Sequence, residues 1–250
     1  SNLSDTANTL ADYEQSISLC NDCITGYEAR SRYYHYTLKE YQKAIDDYYM
    51  IAKIEPSYMF IYNRTADCKL KLGDKQGALA ELSTSLLCGT SDPVIYNTRA
   101  EIFTMLEKYE DAIADYDYSL INNPLQTDLY LSRAILHSKI EDNNGAIRDY
   151  LEYIKSNPEK AIGYNNIAYC YLSLNNYMLS EQFFNQSISV EPRHLDSYIG
   201  LSILSYRLGK TKATIQNMCK AIELNEILLH GMPGIKTLEH SGWFWHDEEK

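Results

Sequence analysis

Tyr62, Tyr96, Tyr130, Tyr164 and Tyr198 recur at intervals of 34 residues. A fixed period of this length marks one structural unit copied in tandem, each copy burying its apolar face against its neighbours. The period constrains the chain more than its length does, since 250 residues admit one large domain, two small ones or an elongated stack. With the tyrosine as position 4, units begin at Met59, Pro93, Thr127, Ala161 and Leu195. Position 8 is then Ala66, Ala100, Ala134, Ala168 and Ser202, and position 20 is Ala78, Ala112, Ala146, Ser180 and Thr214. Position 24 is Leu82, Tyr116, Tyr150, Phe184 and Met218. Position 32 is Pro124, Pro158 and Pro192, with Thr90 and Glu226 departing from it. An earlier unit runs from Ile24 to Tyr58 with Tyr27, Ser31, Tyr41, Ala44, Tyr48 and Pro56, and has one extra residue in its first half.

Apolar residues spaced i, i+3, i+4, as in Ala112, Ile113, Tyr116, Ser119 and Leu120, predict helices. Small residues at positions 8 and 20 let two antiparallel helices approach closely, and the large residues at 4 and 24 fill the space beside that contact. Proline near position 32 stops the second helix before the next unit starts. The run Tyr-x2-[Arg/Leu]-Ala, a central tyrosine, Ala-x3-[Tyr/Phe]-x2-[Ser/Ala] and a final proline resembles the tetratricopeptide repeat, over most of the chain. The resemblance implies an all-α fold, a right-handed superhelical solenoid of tandem antiparallel helix pairs running as one array over residues 1–250. Its expected parts are an N-terminal half-repeat at 3–23, with Tyr13 at position 24, and six repeats at 24–58, 59–92, 93–126, 127–160, 161–194 and 195–228. A capping tail at 229–250 closes it, carrying both tryptophans, Trp243 and Trp245.

The copies can be compared with one another. Position 7 is Arg30, Arg99 and Arg133 in three units, and in the same units position 23 is Asp47, Asp115 and Asp149. Where position 7 is Ile167 or Leu201, position 23 is Phe183 or Asn217. Antiparallel helices bring 7 near 23, so we expect Arg–Asp bridges between paired helices, because a half-buried arginine needs a partner. The Met59 unit, with Thr65 and Glu81, fits only in part, and Glu81 has Arg99 as an alternative partner. The role of these pairs is structural.

The resemblance implies a concave groove lined by the first helices, with protein or peptide as the ligand. Its groove positions fall here on Asn63, Asn97, Leu131, Asn165 and Ile199 at position 5, and on Asp67, Glu101, Ile135, Tyr169 and Ile203 at position 9. Position 2 adds Phe60, Val94 and Ile162, and position 12 adds Tyr206. Asn63, Asn97 and Asn165 form a candidate amide ladder, able to donate to and accept from a peptide backbone. Leu131, Ile135, Ile162, Tyr169, Ile199, Ile203 and Tyr206 form a candidate apolar strip, the kind of surface that binds something. The rival occupants are the C-terminal tail folding back and a second copy of the chain, as a homodimer through the groove or the tail. The cation and asparagine set with which some relatives hold acidic chaperone tails is missing from any three successive units.

A net charge of −11 without a basic stripe argues against nucleic acid, and no apolar run is long enough to span a membrane. The six cysteines, Cys20, Cys23, Cys68, Cys88, Cys170 and Cys219, have no regular pairing pattern, so free thiols in a reducing compartment are expected. Cys20-Asn-Asp-Cys23 lacks the second pair of ligands a zinc site needs. His230, His240 and His246 lack metal-ligand spacing. We expect no cofactor, no metal and no catalysis; a redox or metal factor built on Cys20 and Cys23 is the other class. The chain opens on Ser-Asn, which we read as a processed or trimmed product. A cytoplasmic location is expected, with an exported or lipid-anchored bacterial envelope scaffold as the alternative.

Overall fold

The structure is a computed structural model that describes residues 3–19, 24–89 and 92–230. Two compact units divide the chain, Ser1–Ile140 and Glu141–Lys250. The first holds α1 (Leu3–Leu19), α2 (Ile24–Arg32), a π-helical turn (Tyr33–Leu38), α3 (Tyr41–Ile54), α4 (Phe60–Lys71), α5 (Lys75–Leu87), α6 (Pro93–Met105), α7 (Tyr109–Asn122) and α8 (Thr127–Lys139). The second holds α9 (Asn143–Ser156), α10 (Ala161–Ser173), α11 (Tyr177–Val190), α12 (Leu195–Arg207) and α13 (Thr211–His230). All described regular structure is helical, as the repeat implies.

In the first unit α2 packs on α3, α4 on α5 and α6 on α7; in the second, α10 packs on α11 and α12 on α13. The reason lies in the small residues. Ser31, Ala44, Ala66, Ala78, Ala100, Ala112 and Ala134 of the first unit, and Ala146, Ala168 and Ser180 of the second, are all 0% exposed. Beside them Tyr48, Leu82 and Tyr116, then Tyr150 and Phe184, are buried, each stabilising the fold by about 1.5–3 kcal/mol. The stacking helices are tied further by hydroxyls. Ser119 donates to the carbonyl of Pro93 at 3.1 Å, and Ser187 to that of Ala161 at 3.0 Å. Tyr164 and Tyr198 donate to the carbonyls of Pro158 and Pro192, both at 3.2 Å. The periodic tyrosine thus fastens to the periodic proline just before it.

Between the two helices of each repeat the chain turns through a left-handed residue. Lys39, Gly73 and Glu107 do this in the first unit, and Glu141, Asn175 and Gly209 in the second, with φ between 57° and 82°. The next residue caps the following helix where it can: Asp74 accepts from the Gly77 N–H at 2.8 Å, and Asp142 from the Gly145 N–H at 2.9 Å.

The left-handed residues also locate the extra residue of the first repeat. Lys39 is in step with Gly73, while Tyr27 lies one residue out of step with Tyr62. The insertion therefore falls between them, and there the chain adopts its π turn, Tyr33–Leu38. Widening one turn to i→i+5 bonds absorbs a residue and keeps Ala44 and Tyr48 in the packing register. α1 covers this first repeat, with Leu10 against its core and Ile17 packed close to the buried Gly26.

Two substitutions test these backbone arguments in opposite directions. Glu107→Gly relieves a left-handed L-residue, less the flexibility that glycine adds to the unfolded chain, and is expected to stabilise by up to about 1 kcal/mol in urea titration. Gly200→Ala adds a methyl that would lie 2.2 Å from Cε1 of Phe184, and is expected to destabilise by about 1–3 kcal/mol although alanine is the better helix former.

Candidate functional site

Three repeats in the first unit carry a cation beside the helix–helix contact. Arg30 binds Asp47 through Nε at 2.9 Å and Nη2 at 2.7 Å, and Arg99 binds Asp115 through the same atoms at 2.7 and 2.6 Å. Both guanidiniums also lie 5.7 Å from the position-4 rings, Tyr27 and Tyr96. The hydrogen bonds they donate to Asp47 and Asp115 raise the arginine pKa values despite the opposing effect of burial. Arg133 lies over Tyr130 and donates to Asp117, while Asp149 is buried in the second unit. In the Met59 repeat the buried Glu81 pairs not with Arg99 but with Lys69 at 2.6 Å, and accepts from the Tyr49 hydroxyl at 2.6 Å. Such forked pairs hold two helices in one register and leave no free charge for chemistry.

The position-5 amides are drawn into the fold rather than offered to solvent. In the first unit the Oδ1 atoms of Asn63 and Asn97 are shielded from water and have no hydrogen-bond partner among the described residues. Asn97 Nδ2 donates to Gln126 at 3.1 Å. In the second unit Asn165 is 4% exposed and accepts from Ser197 at 3.1 Å, whose hydroxyl also meets Ser187. Position 5 thus lies within the packing at all three asparagines, and at Asn165 its amide bonds the first helix of the next repeat.

Position 9 divides similarly. Asp67 accepts from His35 Nε2 at 2.8 Å, while Glu101 and Ile135 are exposed and Leu131 is half-buried. In the second unit Tyr169 packs edge-on against Phe184, with centroids 5.0 Å apart, and donates to the Asp196 carbonyl at 3.2 Å. Burial pushes its phenol up to about 12. It is a packing residue more than an open one. Ile199 is half-buried, whereas Ile162, Ile203 and Tyr206 are exposed at 40%, 36% and 74%. In the first unit Phe60, Val94 and Met105 are exposed too. Phe60 and Val94 hold position 2, a groove position that the resemblance implies, outside the strip drawn from the later repeats; their apolar type was the available signal.

Cys68 and Cys170 are buried, Cys88 and Cys219 exposed, and burial pushes the Cys68 thiol up to about 12. Cys20 and Cys23, the side chain of His230, and the tail with His240, His246, Trp243 and Trp245 lie outside the described residues. No described helix is long and apolar enough to cross a membrane.

A model of the tetratricopeptide repeat family matches residues 161–194. That stretch is one repeat long, and the helix pairs on either side of it have the same helix–turn–helix form. Solved structures of similar fold include MamA from Desulfovibrio magneticus RS-1, at 16% identity over 68% of this chain and 96% of that one, with a TM-score of 0.62. YrrB, a TPR protein with an unusual peptide-binding site, is 13% identical over 74% of this chain and 95% of that one, with a TM-score of 0.64. A tetratricopeptide repeat protein from Parabacteroides merdae ATCC 43184 is 22% identical over 84% and 79%, with a TM-score of 0.62. At these identities the likeness concerns the fold. No curated protein matches the chain.

The ion pairs give a direct test. Arg99→Ala strands the buried Asp115 and is expected to cost about 3–5 kcal/mol in urea unfolding. Arg99→Met combined with Asp115→Leu removes both charges and should recover most of that loss. Equal losses in the single and double variants would show that the pair is not the source.

Proposed function

We propose that the chain is a non-enzymatic scaffold that binds a peptide segment of a protein partner on the first-helix face of its second unit. One observation carries the reading: Ile162, Ile203 and Tyr206 stay exposed on helices α10 and α12, whose other faces are packed. Exposed apolar side chains gathered at equivalent repeat positions mark interaction surfaces, and tyrosine is a favoured anchor in them. The fold adds support, and YrrB, of similar fold, has a peptide-binding site. The binding energy comes from apolar contact, with shape setting the register. The asparagines contribute order between repeats, since Asn165 is already bonded to Ser197.

Peptide display selected against the whole chain, followed by fluorescence anisotropy on the recovered peptides, tests this. Ile203→Asp with Tyr206→Ala is expected to weaken binding at least tenfold, as loss of an interface anchor does, while leaving the circular dichroism spectrum unchanged. Recovered peptides that bind the variant as tightly as the parent would sink the reading.

A further inference from the structure

The π turn builds a cavity. Tyr13 of α1, Ala29 and Arg32 of α2, and Tyr33, Tyr36 and Thr37 of the π turn line a hollow of about 360 Å³ that opens to solvent, within the range of about 300–1,000 Å³ typical of ligand pockets. The rare backbone element and the cavity coincide because the inserted residue re-aims the side chains of the turn. Among the described residues its lining is one cation, three phenols, one alcohol and one methyl group, with no carboxylate.

The walls are held in place. Tyr13 and Tyr33 meet edge to face with centroids 6.0 Å apart. Tyr36 stacks on His35, 4.1 Å between centroids and 10° between planes. His35 is itself buried, with Nδ1 3.3 Å from the Tyr48 hydroxyl and Nε2 2.8 Å from Asp67. The Tyr36 hydroxyl accepts from Arg64 Nη1 at 2.6 Å, so its own proton is free to be donated. Tyr36 remains 55% exposed. A rigid, half-open phenol with a donor to spare is a prepared contact, not a packing residue.

The charges nearby point the same way. Arg30 is paired with Asp47, and Asp67 is engaged by His35. Arg32 and Arg64, by contrast, have no ion pair among the described residues, and Arg32 is exposed. Burial and then Glu28 raise the Tyr58 phenol, while Arg64 and Arg32 oppose the rise, so two guanidiniums and one carboxylate act on the same ring and the balance of charge among them is positive. In a chain of net charge −11, two unpaired arginines beside hydroxyl donors form a local site for negative charge.

We propose that this cavity anchors an acidic peptide segment of a protein partner, a carboxylate meeting Arg32 and the Tyr36 hydroxyl while the methylenes of its side chain lie against the tyrosine rings. The proposal rests on the reading of the chain as a peptide-binding scaffold and adds the chemistry of the partner at a place that reading does not use. A forked guanidinium–carboxylate contact is the one this fold already makes at Arg30 and Arg99. A phenol donating to the same carboxylate fixes its orientation.

Fluorescence anisotropy with the whole chain tests it, using a fluorescein-labelled Glu-Ser repeat peptide with an amidated C-terminus. A Gln-Ser repeat peptide, amidated in one arm and with a free C-terminus in the other, separates side-chain from terminal carboxylates. Binding of the glutamate peptide is expected, with a loss of roughly tenfold or more in Arg32→Gln and a smaller loss in Tyr36→Phe. Both variants alter exposed groups and should unfold like the parent. Binding of the free-terminus glutamine peptide that is lost in Arg32→Gln also supports the site and names the terminal carboxylate as its source. The proposal is overturned by absence of binding in every arm, by equal binding of the amidated glutamine and glutamate peptides, or by equal binding to Arg32→Gln and parent. Ile203→Asp with Tyr206→Ala should leave glutamate-peptide binding unchanged, so failure here and failure of the apolar face are read separately.

Discussion

The fold depends on one close contact, that of the small residues which let paired helices touch. Ser31 against Ala44, Ala66 against Ala78 and Ala100 against Ala112 leave no exposed surface. Once those backbones are close, the neighbouring places are decided. Tyr48, Leu82 and Tyr116 fill the flank, Ser119 reaches the first carbonyl of its own repeat, and the position-4 tyrosine is left at the edge. A larger residue at any of these contacts would move every one of those partners, because protein interiors are packed like crystals.

The two units solve the next layer of packing with different chemistry. In the first, Arg30 and Arg99 cross to aspartates and lie under tyrosine rings. In the second, the same positions hold Ile167 and Leu201, both buried, and Phe183 stacks on Tyr171 at 5.6 Å. Apolar replacement of a buried ion pair is often close to neutral in stability. The exchange therefore changes what surrounds the site more than how strongly the helices hold. At positions 7 and 23 the first unit keeps charge, and the second keeps apolar and aromatic side chains.

Much of this was legible in the sequence because it repeats. Five copies turn a weak pattern into a register, and the joint change of positions 7 and 23 pointed to Arg30–Asp47 and Arg99–Asp115 before any geometry. The fate of the amides was not legible. Asn97 and Asn165 share a position, yet Asn97 meets Gln126, which precedes α8, and Asn165 meets Ser197 of α12, and the spacing of one helix carries no record of a partner elsewhere. The π turn was visible only as one surplus residue. Its consequences for Tyr36 and His35 come from three-dimensional neighbours more than thirty positions apart at the farthest, as with Asp67.

That surplus residue also bears on how such arrays diversify. Adding one residue to a helix rotates the upstream segment by about 100° relative to the downstream one. Had the array been unable to absorb it, the insertion would have thrown Ala44 and Tyr48 out of contact. Confined to Tyr33–Leu38, it leaves the downstream stack untouched and changes only which side chains look outward. Length, as well as substitution, is then a means by which one member of a repeat array acquires a surface its siblings lack, without any cost to the period they share.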